Sequence, residues 1–132
     1  MANAIYPKWK ESIIQASANS SLTGTVKVAL VDTGTYTYSS SHEFLSSLTG
    51  VVGTAQTIGS KTYTNGVLDG ADVTYTAVTG STAEALVFYI DTGVAGTSRL
   101  VAYIDTGVTG LPVTPNGGDI NVTFNASGIF GL

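Results

Sequence analysis

The chain has no cysteine and few charged residues, and both absences narrow the chemistry it can perform. Without cysteine, its 132 residues can form neither a disulfide framework nor a thiolate metal site. Charged residues make up 11% of the sequence, against about 25% in average soluble domains. The surface is therefore expected to be mostly Ser, Thr, Asn and Gly, which favours a chain that becomes covered by partners.

Cations and histidines are especially scarce. Five Lys and Arg residues stand against nine Asp and Glu residues, so the net charge is −4. Nucleic-acid binding requires a basic patch that neutralises several phosphates, and no such partner is expected. His42 is the single histidine, which excludes a histidine-rich metal site. A Ser/His/Asp triad is not excluded by counting, but no Gly-x-Ser-x-Gly elbow occurs.

Long apolar runs and a signal-like N-terminus are also missing. The first seven residues lack the charged region and apolar run of a secretory signal. No apolar run approaches the ~20 residues that span a bilayer. Synthesis in the cytoplasm and no membrane partner are therefore expected.

Short β-prone segments occur at a spacing near ten residues, with Gly, Asn and Asp between them. This pattern is typical of antiparallel sandwiches and barrels. We predict one all-β domain over residues 1–132, an antiparallel, jelly-roll-like β-sandwich of about seven or eight short strands. The clearest predicted strands are 26–31, 51–57, 61–64, 72–78, 84–91, 99–106 and 119–124. The segment 111–118 contains two prolines and is predicted to be a loop.

Two short helices complete the prediction. Pro7 suits the first turn of a helix whose apolar face would carry Trp9, Ile13 and Ala16. Residues 1–20 would then be either an N-terminal arm or a helix that plugs one end of the sandwich. A short internal helix is predicted after residue 40, where Ser40 and Glu43 have the spacing of a capping box.

Asp-Thr-Gly occurs three times, beginning at Asp32, Asp91 and Asp105. It is the signature of aspartic proteases, in which two carboxylates share a proton. Three copies in one chain, two of them only 14 residues apart, fit that class poorly. A repeated strand-ending Asx turn is the favoured interpretation. If 84–91 and 99–106 form a hairpin, two of these carboxylates lie at opposite ends and cannot meet.

Two further groups of residues could form ligand sites, but each has a simpler structural role. Asn65, Asp69 and Asp72 could coordinate calcium, but a turn followed by a strand explains them and no terminal Glu is present. The seven tyrosines could form a sugar-stacking platform, although alternating Tyr and Thr more often mark the core and solvent faces of a strand. No catalytic, cofactor-binding or metal-binding residue is assigned.

Four segments resemble a family of small virion structural proteins of tailed bacteriophages and prophages, and the similarity extends over nearly the full length. The segments are 4–10 (Ala-Ile-Tyr-Pro-Lys-Trp-Lys), 25–36, 42–45 and 111–120. Some members of that family are similar to capsid cement, or decoration, proteins. The resemblance implies a non-enzymatic β-domain without cofactors, located on the capsid surface and commonly trimeric.

The same resemblance implies that the partner is the major capsid protein, bound at junctions between its subunits on the outside of the head. Ile5, Tyr6, Pro7 and Trp9 are the candidate partner interface, as an apolar arm lying across a neighbouring subunit. The alternatives are a tail, neck or fibre component that contacts a host glycan and, among enzymes, a retroviral-type aspartic protease.

Overall fold

The structure is a computed structural model that describes residues 3–132, and it confirms the predicted all-β antiparallel fold. The described residues form one α-helix, two single-turn 3₁₀ helices and nine strands. They are β1 (Ala4–Ile5), α1 (Pro7–Ile14), β2 (Val26–Val31), a 3₁₀ turn (Leu45–Ser47), β3 (Val51–Thr57), a 3₁₀ turn (Thr64–Gly66), β4 (Val67–Leu68), β5 (Val73–Tyr75), β6 (Ala85–Ile90), β7 (Arg99–Ile104), β8 (Ile120–Val122) and β9 (Phe130–Gly131).

A five-stranded antiparallel sheet with the order β1-β7-β6-β2-β3 dominates the fold. Two small sheets, β4-β9 and β5-β8, accompany it. All six residues of β6 are buried, as are five of the six in both β2 and β7. The sequences of these strands are nearly continuous apolar runs. Because the sheet is covered on both faces, neither face of a strand needs polar side chains.

Aromatic contacts identify what covers each face. The Phe88 ring lies 5.9 Å from the ring of Phe124 and 6.4 Å from that of Phe130, both contributed by the segment from β8 to β9. Tyr103 pairs with Val87, and paired residues point to the same face of the sheet. Because Val87 and Phe88 are consecutive in β6, Tyr103 faces the side opposite to Phe88. There it contacts the tyrosines of the loop after β2.

Several predicted strands have different bounds in the structure, and one is absent. Strands 26–31 and 51–57 occur as predicted, while those near the C-terminus are shorter. Segment 61–64 is not a strand: Thr62 makes one isolated bridge to Asp69, and the chain then enters a 3₁₀ turn. Asn65 adopts φ 55° in that turn, a left-handed conformation that a ladder cannot accommodate. The two-residue strands β1, β4 and β9 were not predicted.

The helix α1 begins at Pro7 as predicted, and Trp9 lies on its buried face as predicted, but Ile13 and Ala16 do not. Trp9 and Ser12 are its buried residues, whereas Ile13 is 37% exposed. Ala16 lies beyond the helix with φ 52°. The strand β1, which precedes the helix, is hydrogen-bonded to β7 and holds the start of α1 beside the large sheet.

Tyr6 and Trp9 are core residues, not the exposed anchors predicted for an N-terminal arm. They are 0% and 1% exposed within their own chain. The Tyr6 amide donates to the Val101 carbonyl at 3.0 Å, and the Trp9 indole N–H donates to the Ser20 carbonyl at 2.9 Å. The Trp9 ring packs edge-on against Phe130 at 5.9 Å. The helix therefore packs on its own β-domain.

The predicted capping box is also absent. The internal helix is a single 3₁₀ turn whose N-cap, Phe44, makes no side-chain capping bond. The Glu43 carboxylate instead accepts a hydrogen bond from Arg99 Nη1 at 2.9 Å. A long-range ion pair at the start of β7 thus replaces the local contact that the Ser40 to Glu43 spacing indicated.

Replacing Trp9 with alanine tests whether the N-terminal segment is part of the core. Trp9→Ala should lower the free energy of unfolding by about 3–5 kcal/mol, since a fully buried aromatic is removed. Ile14→Ala is the control on the same helix: Ile14 is 85% exposed, so its effect should stay within about 0.5 kcal/mol. Urea unfolding of both variants is the measurement, and equal midpoints would contradict the core assignment.

Candidate functional site

A cavity of about 420 Å³ lies at the end of the large sheet where β2 ends, β6 begins and β7 ends. We call it the end cavity. Its aromatic lining is Tyr36, Tyr38 and Tyr103, and its charged lining is Glu84 and Asp105. This volume lies within the range of about 300–1,000 Å³ typical of small-ligand sites. The topology brings these residues together from three separate parts of the chain.

Tyr36, Tyr38 and Tyr103 form one side of the end cavity, which we call the tyrosine wall. Ring contacts and a chain of hydrogen bonds hold it in place. Tyr103 contacts Tyr38 at 5.7 Å and Tyr36 at 6.5 Å between ring centroids. The Tyr36 hydroxyl lies 2.7 Å from the Tyr6 hydroxyl and 2.7 Å from His42 Nδ1. Burial, with the hydrogen bond to Tyr36, raises the pKa of Tyr6 far above its usual value. His42 is thus hydrogen-bonded to the tyrosine wall through Tyr36.

The two carboxylates have defined positions at the rim of the end cavity. Glu84 accepts a hydrogen bond from the Thr33 hydroxyl at 3.0 Å and one from the Thr33 amide at 3.4 Å. Burial raises the pKa of Tyr103 to about 12, with smaller contributions from the charge and hydrogen bond of Asp105 and from the charge of Glu84. The negative charges of Asp105 and Glu84 therefore disfavour the ionised form of the Tyr103 phenol.

The first two Asp-Thr-Gly copies are Asx turns, as predicted. Asp32 Oδ1 accepts from the Gly34 amide at 2.8 Å, and Asp32 Oδ2 accepts from the Thr35 hydroxyl at 3.0 Å. Asp91 Oδ1 accepts from the Gly93 amide at 3.2 Å. In each case the Asp carboxylate accepts a hydrogen bond from the backbone amide two residues later, and this turn follows the end of the strand.

The sheet keeps the three aspartates of this motif apart within the chain. The predicted hairpin is confirmed, because β6 pairs with β7 and places Asp91 and Asp105 at opposite ends. Asp32 and Asp91 lie at opposite ends of β2, about 20 Å apart along six residues of strand. Asp32 and Asp105 share one end, but β6 lies between their strands, which separates the backbones by about 10 Å. A proton-sharing pair needs about 3 Å.

The calcium candidates serve as turn and loop acceptors. Asp69 Oδ1 accepts from the Gly70 amide at 2.8 Å, and Asp72 Oδ1 accepts from the Phe124 amide at 2.9 Å. Within residues 3–132, no three His, Cys, Asp or Glu side chains are grouped so as to hold a metal ion. Nor does this part of the chain contain a helix long and apolar enough to cross a membrane.

Most of the seven tyrosines are core residues, in agreement with the favoured interpretation and not with a sugar-stacking platform. Five tyrosines are buried, and Tyr63 is 42% exposed. Only Tyr38 combines partial exposure with a place in the end cavity. Sequence reasoning missed the end cavity because Glu84 and Thr33 are far apart in the chain, and no local spacing indicates their contact. The one local indication was that β2 ends at Val31, which places the following residues at an end of the sheet.

Asp32 should contribute to stability through its turn. Asp32→Ala removes two acceptors and should lower the free energy of unfolding by about 1–2 kcal/mol. Asp32→Asn keeps the Oδ1 acceptor for Gly34 and should cost about half as much or less. Thermal or urea unfolding distinguishes the two, and identical losses would contradict the Asx-turn role.

The raised pKa of Tyr103 predicts a loss of stability at alkaline pH. The unfolded chain loses this proton near pH 10 while the folded chain holds it to about 12, so the stabilisation is complete below about pH 10 and disappears on going to about pH 12. Urea midpoints should fall over that interval. Tyr103→Phe, which has no titratable hydroxyl, should show a shallower fall, and an unchanged slope would contradict the assignment.

No protein-family model matches the chain, and no curated protein matches it.

Proposed function

We propose that the chain is a non-enzymatic structural protein of a tailed-bacteriophage virion, acting as a capsid cement protein. It would bind the outside of the head at junctions between major capsid protein subunits, as a homotrimer, and stabilise the shell by burying additional surface. The observation that carries the proposal is the sequence resemblance of residues 4–10, 25–36, 42–45 and 111–120 to that protein family.

The charge distribution of the domain supports a role covered by partners. Three of the five cations form ion pairs with carboxylates of the same chain, and Lys61 donates to two backbone carbonyls. The pairs are Lys8–Glu11, Lys27–Asp91 and Arg99–Glu43. Charged residues are depleted in the buried centres of interfaces, because desolvating an ion is costly. A surface with few charged residues, most of whose cations have partners within the chain, therefore suits repeated docking on a lattice.

The exposed side of α1 supplies an apolar contact in place of the buried Tyr6 and Trp9. Ile14 is 85% exposed and Ile13 is 37% exposed. Ile5 and Pro7 are partly exposed and flank the start of the helix. A partner surface that covered Ile13 and Ile14 would remove apolar area from water, which is favourable at about 25 cal/mol per Å².

A tail, neck or fibre component is the alternative within the same class. The low charge of the chain supports both placements equally. Their stoichiometries differ, because a cement protein repeats with the capsid lattice and a tail component does not.

Imaging reconstruction of intact particles, combined with quantification of this chain relative to the major capsid protein, tests the proposal. A copy number that scales with the capsid lattice, with density on the outer surface, is the expected result. A copy number matching a tail or neck ring would favour the alternative. Absence of the chain from purified particles would overturn both.

The helix contact predicts a specific binding defect. Ile14→Glu should reduce binding to capsids lacking the protein by about tenfold or more, because a charge is introduced into an apolar contact. Val94→Glu is the matched control, since Val94 is 60% exposed in the loop between β6 and β7. Co-sedimentation with capsids is the measurement, and equal binding by the Ile14→Glu and wild-type proteins would move the interface away from α1.

A further inference from the structure

The end cavity combines the partly exposed ring of Tyr38 with a carboxylate held in a fixed position, and the buried rings of Tyr36 and Tyr103 lie beside them. Tyr38 is partly exposed, and its ring packs against both Tyr6 and Tyr103. Its orientation is thus fixed without ligand. Thr33 holds the Glu84 side chain at the rim through two hydrogen bonds. Preorganised groups lose little conformational entropy on binding.

Glu84 supplies the end cavity with a negative charge that no described ion pair neutralises. The described partners of Lys8, Lys27 and Arg99 are Glu11, Asp91 and Glu43, all outside its lining. Glu84 forms no ion pair within residues 3–132, and its described partner is the uncharged Thr33. A carboxylate beside aromatic rings attracts cations through both its charge and the ring quadrupoles.

The lining favours an organic cation over a metal ion or a neutral sugar. Calcium and magnesium require several oxygen ligands, and residues 3–132 contain no grouping of three acidic or histidine side chains. Neutral sugars gain nothing from a net negative potential. Alkylammonium and guanidinium groups combine a positive charge with a surface that packs on tyrosine rings.

We propose that the end cavity binds a single ammonium or guanidinium group, presented by a lysine or arginine side chain of a partner protein. The exposed residues Thr37 and Pro112 line its opening, so a side chain can enter from solvent. Identification of the partner with a capsid subunit rests on the proposed function. Cation binding by the isolated domain does not.

The test is a titration of the isolated full-length protein, followed by amide chemical shifts in NMR. The probes are N-acetyl-lysine amide, N-acetyl-arginine amide and the uncharged N-acetyl-norleucine amide, with glucose as a neutral polyol. Saturable shifts confined to residues around Thr33, Glu84 and Asp105 are expected with one or both cationic probes. They should weaken as salt is added.

Two variants and one control test the geometry. Glu84→Gln removes the charge at nearly constant shape, and Tyr38→Leu removes the ring quadrupole while keeping an apolar side chain. Each should weaken cation binding by about fivefold. Glu11→Gln removes one charge from the exposed surface of α1 and should leave the affinity unchanged. Urea unfolding of each variant confirms that the fold is retained.

Each result decides for or against the proposal. Preference for one cationic probe supports it and identifies the partner side chain as lysine or arginine. It is overturned if neither cation gives saturable shifts, if norleucine amide or glucose binds as tightly, or if Glu84→Gln and Tyr38→Leu both retain wild-type affinity. Cation binding by a chain absent from virions would overturn the proposed function alone.

Discussion

The pairing of β6 with β2 on one side and β7 on the other is the constraint on which the rest of the structure depends. Every residue of β6 is buried, so both its edges and both its faces are occupied. The register fixed by these two ladders decides which loops meet at each end of the sheet. At one end it gathers the tyrosines and two acids of the end cavity, and at the other it places the Lys27–Asp91 ion pair.

The parts of the fold that were predictable from sequence are those determined locally. The runs at β2 and β3 were identified with their bounds, and the hairpin of β6 and β7 followed from a repeated strand-turn segment. Pro7 marked the start of α1 because a proline at that position acts through its own backbone. The Asx turns at Asp32 and Asp91 likewise use atoms within a few residues.

Most of the errors arise from contacts between distant residues, while the absent strand 61–64 is explained by the local turn at Asn65. The two-residue strands β1 and β9 are too short to leave a periodic pattern and exist through their partners β7 and β4. The buried Trp9 of α1 contacts Ser20 and Phe130, and Glu43 pairs with Arg99 instead of capping the 3₁₀ turn. The end cavity has the same origin, because Thr33 and Glu84 meet through the β2–β6 ladder.

The contacts of Phe130 have a consequence for the order in which the domain assembles during synthesis. Its ring packs against Trp9 from the first helix and against Phe88 from the central strand. The N-terminal helix and the central sheet therefore share a core contact that does not exist until residue 130 has left the ribosome. Earlier segments can pair as strands, but Trp9 can contact Phe130 only after residue 130 has been made, so this part of the core forms later than the pairing of β2, β6 and β7 can begin.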